Sequence, residues 1–453
     1  MAIDIVILAA GKGTRMRSDL PKVLHPIGGV PMLGRVIETA KQLGDVKITV
    51  VIGHGAELVR ERFADSGVQF VEQEEQLGTG HAVAQAIPHF RDGATVLVLY
   101  GDVPLVRAST LRQLLQESEN GPALLSVIMD DPSGYGRIVR DKDGQVQAIV
   151  EQKDADAETL KIDEINTGIL AAPGHLLAQW LPELSNNNAQ GEYYLTDVIA
   201  RSVRENIAVT GVIGSDAVEV AGVNSRIQQA ELERALQRDQ AEVQMALGVT
   251  LMDPARFDLR GTLECGADVT IDINCVFEGS VKLGNGVRIG PNCLLKNCQL
   301  AAGTVVEANS IIEDASVGEA CNIGPFARLR PGTELANGAK VGNFVETKKA
   351  KIGVGSKVNH LSYIGDAEVG DDVNIGAGTI TCNYDGVNKS KTIIGDRAFI
   401  GSNSALVAPV EIGAGATVGA GSTITREVSA DELAVARGKQ RNISGWQRPV
   451  KKS

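Results

Sequence analysis

The chain has 453 residues and a formal net charge of −12, so it exceeds what one hydrophobic core usually serves and lacks the basic surplus of a general nucleic-acid binder. No run of eighteen apolar residues occurs, which excludes an obvious membrane-spanning helix and leads us to expect a cytoplasmic protein. All six cysteines lie in the second half, with neither a C-x-x-C pair nor histidine clusters suited to zinc, and are expected to be buried structural thiols.

The first half alternates strand-like and helix-like segments. The apolar runs IDIVILAA, KITVVIGH, TVLVLYGD, ALLSVIM and NTGILAAP read as strands. Between the first two, PMLGRVIETAKQLG places Leu33, Val36, Ile37, Ala40 and Leu43 on one helical face. This grammar predicts a Rossmann-like α/β domain with a mostly parallel sheet over residues 1–225. The loop LAAGKGTRM follows the first strand, yet it fits neither a Walker A motif nor the dinucleotide fingerprint. Only Lys12 separates Gly11 from Gly13, and Met16 stands where a third glycine belongs. Ligands of such sheets gather beyond the carboxyl ends of strands, where this loop and the Gly101-Asp102 pair both fall. A carboxylate at the end of an apolar strand is costly to desolvate unless it meets a cation, which makes Asp102 a candidate ligand for a hard divalent ion.

Residues 226–249 are charged and helix-periodic and are expected to link two domains. Beyond them, aliphatic residues recur every six positions, at Leu283, Ile289 and Leu295, at Ile323, Leu329, Leu335 and Val341, and at Ile400, Leu406, Ile412, Val418 and Ile424. Three such hexads make one turn of a triangular β-helix, which gives about nine coils over residues 250–453. A narrow coil interior also explains 51 glycines beside only 4% aromatic residues. After Thr381 the rhythm stops for CNYDGVNKSKTI, a segment expected to leave the coil as a functional loop. His360 is the only histidine in the repeat half, and imidazole suits a general base near neutral pH. Arg330, Lys348 and Tyr363 lie near it in the repeat order; a charged outer face of a β-helix would look the same.

LAAGKGTRM followed by PKVLH, EQLGTGHA, YGDVPL, GYGRIV and EINTGI resembles the signature series of sugar-1-phosphate nucleotidyltransferases. The hexads resemble the left-handed parallel β-helix of hexapeptide acyltransferases. With HLSYIGD and GAGTITCNYDG, the chain is similar nearly end to end to the family of bifunctional N-acetylglucosamine-1-phosphate uridyltransferases and glucosamine-1-phosphate acetyltransferases. That resemblance implies UTP, N-acetylglucosamine-1-phosphate, glucosamine-1-phosphate and acetyl-CoA as substrates, Mg²⁺ as cofactor, a homotrimer, and a role in supplying peptidoglycan and lipopolysaccharide precursors. It implies that Leu8, Ala9, Ala10 and Gly11 approach the nucleotide, with Arg15 and Lys22 neutralising phosphate charge. Gln73, Gly78 and Thr79 would flank uracil, Tyr100 and Gly101 would line the site, and Asp102 and Asn224 would hold the metal. Asn224 could instead simply cap the helix beginning SRIQQ, but the metal role is the preferred reading. Gly136, Glu151 and Asn166 match positions that contact sugar and ribose. In the coil, His360 would act as the base, with Arg330, Lys348, Tyr363 and Asn374 at the sugar phosphate. Ala377, Asn383, Tyr384, Ser402, Ala420 and Arg437 would line the acetyl-CoA groove. A nucleotidyltransferase whose β-helix only regulates or oligomerises, and a non-catalytic trimeric scaffold, remain alternatives.

Overall fold

A computed structural model describes residues 2–451. They form two compact units, the first ending at Leu236 and the second beginning at Gln237. The division falls inside a long helix. In the first unit the strands of the nine-stranded sheet are β1 (Ile3–Ala9), β2 (Val46–Ile52), β3 (Gln69–Glu72), β4 (Thr95–Tyr100), β5 (Ala123–Ile128), β6 (Arg137–Arg140), β7 (Val146–Val150), β8 (Glu164–Pro173) and β9 (Thr210–Ile213). Their order across the sheet is β9-β5-β8-β4-β1-β2-β3, with the β6-β7 hairpin attached to β8. All neighbours along this path are parallel except β8, which runs antiparallel to β4 and β5.

The continuous apolar strands follow from burial on both faces. In β1, Ile5 and Ile7 join the core on one side of the sheet while Val6 joins the core on the other. The helix Met32–Lys41 (α1) buries Leu33, Val36, Ile37 and Ala40, the face that the sequence spacing predicts. Each of its larger aliphatic side chains contributes about 1.5–3 kcal/mol by leaving water. Because Leu8 of β1 stands beside Tyr100 of β4, the loops that follow these parallel strands leave the sheet side by side. Gly101 N–H donates to the Leu8 carbonyl at 2.9 Å and closes the gap between them.

The helix Arg226–Ala246 (α2) looks like a charged linker in sequence, yet its start is docked. Leu232 is buried with Met16, Ile27, Met32 and Val223, and the Glu233 carboxylate accepts from Gly28 N–H at 2.6 Å. In the second unit, Ala241 belongs to the coil core, and the buried Gln237 side chain accepts from Leu259 N–H and donates to its carbonyl.

The second unit is a parallel β-helix. One sheet stacks eleven strands and another fourteen, and every named pairing in them is parallel. Inward-pointing Ile271, Ile289, Val306, Ile323, Val341, Val358 and Ile375 stand one above another, so a coil consumes 17 or 18 residues. Eleven levels exceed the nine or so coils counted from hexads, with Thr250–Leu251 and Leu433–Ala434 as the outermost strands. Val, Ile, Leu, Ala and Cys fill the interior. Its two buried rings, Phe257 and Phe277, pack against each other in the first coils. From Ile375 the next level is reached only at Ile400. The extra length is residues 383–391, because strands Ile380–Cys382 and Thr392–Ile394 reclaim the ends of the expected loop.

Candidate active sites

Beyond the carboxyl ends of β1 and β4 lies a cleft of about 290 Å³, lined by Leu8, Ala9, Ala10, Gly11, Lys22, Gln73, Gly78, Thr79, Tyr100 and Asp102 among others. Ten residues singled out in sequence are therefore gathered at one place. Lys22 reaches across the cleft to form a salt bridge with Asp102, and its ammonium also donates to Asn224 Oδ1 at 3.2 Å. A carboxylate oxygen and an amide oxygen thus converge on one cation, which is the donor chemistry a hard divalent ion requires. Asn224 is not the helix cap: Ser225 Oγ accepts the first-turn N–H of Gln228, and Gln228 Oε1 accepts Asn224 N–H at 2.8 Å. The Asn224 amide is left to face Lys22. Arg15 sits exposed on the short turn Thr14–Met16, outside the residues that line the cleft.

On the opposite wall, Gln73 is buried with its amide donating to the Gly78 carbonyl at 3.1 Å and lying 3.0 Å from His81 Nδ1. Gly78 has φ of 113°, and a Cβ there would collide with the Tyr193 backbone, so only glycine permits this approach. Thr79 Oγ1 accepts from Leu195 N–H at 3.1 Å. Burial, then the charges of Asp102 and Glu151, push the Tyr100 hydroxyl far above its ordinary pKa. That phenol therefore stays protonated as a donor.

Gly136, Glu151 and Asn166 lie outside the cleft lining but form a single row of the sheet. Arg137 pairs with Ile165 of β8 and with Val150 of β7, so the adjacent row is Asn166, Gly136, Glu151. Asn166 N–H donates to the Gly136 carbonyl at 2.9 Å, and a Cβ on Gly136 would stand 3.4 Å from Glu151 Oε1. Burial holds the Glu151 carboxyl above the usual carboxylate range, against a hydrogen bond from Thr196 that lowers it.

In the coil, the second set is spread over neighbouring levels, and part of it forms a column at one corner. His360 ends strand Lys357–His360, with Nδ1 2.7 Å from Asn343 Oδ1 on the level below. Above it the His360 carbonyl accepts Gly378 N–H, the Ala377 carbonyl accepts Asn403 N–H, and the Ser402 carbonyl accepts Gly421 N–H. Arg437 closes the column by donating to the Ala420 carbonyl at 2.7 Å. His360, Ala377, Ser402 and Ala420 are thus equivalent positions of successive coils, a relation hidden by spacings of 17, 25 and 18 residues. Three residues after His360, Tyr363 opens the strand Tyr363–Val369 beside Glu346. Glu346 pairs with Arg330 at 2.7 Å and keeps that guanidinium more firmly protonated. Lys389, from the extruded loop, lies against Lys348 and with Arg330 lowers its pKa, a crowding of cations that favours a bound anion. Asn374 lies one level above Lys357. The Asn383 amide donates to Asp366, and Tyr384, mostly exposed, bridges to Lys389.

The pattern of MobA-like NTP transferase domains matches residues 5–201. That of GMPPB C-terminal domains matches residues 260–352, and that of hexapeptide repeats of succinyl-transferases matches residues 391–426. Proteins named bifunctional protein GlmU match along the whole chain. That of Cellvibrio japonicus is 64% identical over 452 residues, with 100% of both chains covered. Those of Marinobacter nauticus and Stutzerimonas stutzeri are 62% and 61% identical, covering 99% and 100% of both chains. The chain belongs to the bifunctional GlmU family.

As a GlmU family member it is an enzyme with both uridyltransferase and acetyltransferase activities. Several residues at the two sites carry no clear signal in the sequence. Gln76 donates to the Ala10 carbonyl at 2.9 Å and closes the glycine loop, and Glu192 lines the cleft. Asn343 and Glu346 each lie 17 residues before a residue that was read, so the coil register pointed to them. Lys389 had only its place in the extruded segment as a signal. Among the described residues, no helix is long and apolar enough to cross a membrane.

Proposed function

We propose that the first unit transfers uridylyl from UTP to N-acetylglucosamine-1-phosphate and that the second acetylates glucosamine-1-phosphate with acetyl-CoA. The observation that carries this reading is one chain presenting both constellations, the Lys22–Asp102–Asn224 convergence and the His360 corner, within a bifunctional family. Acetylation comes first, because its product is the acceptor of the uridylyl group.

In uridylyl transfer the sugar phosphate oxygen attacks the α-phosphorus of UTP and pyrophosphate leaves, so no protein nucleophile is required. Backbone from Leu8 to Gly11 approaches the nucleotide phosphates, while Lys22 and Arg15 neutralise their charge. Asp102 and Asn224 are the residues that would hold Mg²⁺, and the ion would neutralise phosphate charge as it develops in the reaction. Gln73, Gly78 and Thr79 present polar groups to uracil. Gly136, Glu151 and Asn166 face the sugar and ribose.

In acetyl transfer His360 Nε2 takes the proton of the glucosamine amine as nitrogen bonds to the thioester carbonyl, then passes it to the sulfur as the carbon–sulfur bond breaks, so CoA leaves as its thiol. Asn343 fixes the ring through Nδ1. Arg330, Lys348, Lys389 and Tyr363 grip the phosphate, with Asn374 at the sugar. Ala377, Asn383, Tyr384, Ser402, Ala420 and Arg437 line the groove for acetyl-CoA. A homotrimer is the assembly we propose. Phe326 and Phe344 stack at 5.2 Å while half-exposed, Leu361 lies beside His360 with 64% of its surface in water, and such a stripe suits burial against another copy. The enzyme is assigned to the cytoplasm, where these nucleotides and thioesters are available. The test is product release: pyrophosphate from UTP and N-acetylglucosamine-1-phosphate, free CoA thiol from acetyl-CoA and glucosamine-1-phosphate. Absence of either product from the folded protein with Mg²⁺ overturns that half of the reading.

A further inference from the structure

The hairpin that carries Gly136 and Glu151 contains a buried cation that the mechanism does not use. Arg137 retains only 2% of its exposure, has no salt bridge to a carboxylate among the described residues, and its Nε has no partner. A guanidinium this buried, with only a through-space attraction to the Asp131 carboxylate, is costly and persists where its hydrogen bonds fix something else. Its Nη1 donates to the Tyr135 carbonyl, and its Nη2 donates to Gln152 Oε1 at 3.0 Å. Gln152 Oε1 also accepts Gly134 N–H at 2.9 Å. Tyr135 immediately precedes Gly136 and Gln152 immediately follows Glu151. One side chain therefore ties the residue before the row to the residue after it, from the strand position next to the row. By strand alternation Arg137 points to the face opposite the side chains of Glu151 and Asn166, so it does not meet the sugar.

We propose that Arg137 is a positioning residue for the uridyltransferase reaction: its forked guanidinium, through Tyr135 and Gln152, holds the Asn166–Gly136–Glu151 row in register to receive the sugar phosphate. The proposal rests on that row being the sugar site. Lysine cannot reproduce two donors held in one plane, and a displacement of about 1 Å at a binding row costs up to ~100-fold.

The experiment uses the full-length protein with UTP, N-acetylglucosamine-1-phosphate and Mg²⁺, measuring both KM values for R137K, Q152A and E151Q and acetyl transfer as an internal control. The expected result for R137K is a KM for the sugar phosphate raised about tenfold or more with the KM for UTP within about twofold, and acetyl transfer unchanged. Q152A removes the second anchor from a half-buried position and should shift the sugar KM in the same direction by less. A folded R137K with an unchanged sugar KM overturns the proposal, as does a parallel rise in both KM values with early melting, which marks a merely structural role. If R137K does not accumulate folded, Q152A decides, and an unchanged sugar KM there overturns it. E151Q separates the two layers: if it raises the sugar KM while R137K does not, the positioning role alone falls, whereas no effect from E151Q removes the row as the sugar site and the proposal with it.

Discussion

Asp102→Ala removes the carboxylate on which Lys22 rests and tests the first site in two ways. The Lys22 and Asp102 side chains are only 14% and 15% exposed, so the variant strands an ammonium with one neutral partner, Asn224 Oδ1 at 3.2 Å. Breaking a fully buried pair costs about 3–5 kcal/mol. The open cleft returns part of the hydration, and we expect about 2–3 kcal/mol here. For a unit of this size that lowers the melting temperature by roughly 5–10 °C. Trp180 is fully buried in the first unit, while the chain's second tryptophan, Trp446, is 66% exposed; Trp180 fluorescence in a W446F background therefore reports this unit. Uridylyl transfer should fall by about three orders of magnitude or more, the scale of losing a preorganised charge at a reacting phosphate. Acetyl transfer should persist. The double variant K22M/D102A should regain most of the stability and none of the activity, since it removes the stranded charge but not the need for the carboxylate. A D102A protein with uridylyl transfer within tenfold of wild type refutes the metal assignment, and an unchanged melting temperature refutes the desolvated-pair estimate.

His360→Ala should cost acetyl transfer about two to four orders of magnitude at unchanged melting temperature, with partial recovery at high pH where the amine deprotonates unaided; early melting with normal turnover would make the ring structural. Asn343→Ala, which frees the ring at Nδ1, should cost less than H360A, and an equal or larger loss would contradict its supporting role. Burial raises the Cys275 and Cys298 thiols to about 12 and Cys265 to about 11, and also raises Cys293 and Cys321. Titration with a disulfide reagent at pH 8 should therefore spare the four buried thiols until denaturant is added, and rapid labelling of Cys275 or Cys298 would contradict the core. Because burial is the largest cause of the raised Glu151 pKa, the folded chain binds that proton more tightly than the unfolded one. Its stabilising contribution is present below the ordinary value of 4.5 and is lost as pH rises through the raised value. E151Q should accordingly melt increasingly above wild type as pH rises from 4 to 7, and a difference independent of pH would refute the assignment.

The coil was legible because one inward aliphatic residue per hexad is a physical necessity of a narrow prism, and the run from Ile323 to Val341 writes it out. The strands of the first unit were legible for a similar reason, since TVLVLY is buried on both faces. Relations between distant strands were not. Nothing local in GYGRIV or EINTGI shows that Asn166, Gly136 and Glu151 share a row, because that follows from the antiparallel pairing of β6 with β7 and β8. The shared corner of His360, Ala377, Ser402 and Ala420 was hidden by unequal coil lengths. At α2 the charged, helix-periodic composition shows the helix but not which of its residues are buried, among them Leu232, Gln237 and Ala241. Asn224 carried a second reading in sequence because a cap and a cation partner both use the same amide, and in the structure Ser225 takes the cap.

The central claim is that one chain carries two independent active sites whose reactions run in series. Mixing purified D102A with purified H360A in the presence of glucosamine-1-phosphate, acetyl-CoA, UTP and Mg²⁺ tests it most directly. Neither variant alone should form UDP-N-acetylglucosamine. Together they should, because the acetylated sugar phosphate made by D102A diffuses to the intact uridyltransferase site of H360A. A mixture that releases CoA thiol but no pyrophosphate, although H360A accepts added N-acetylglucosamine-1-phosphate, would contradict a freely diffusing intermediate, and a mixture that releases neither product would contradict the separation of the two sites.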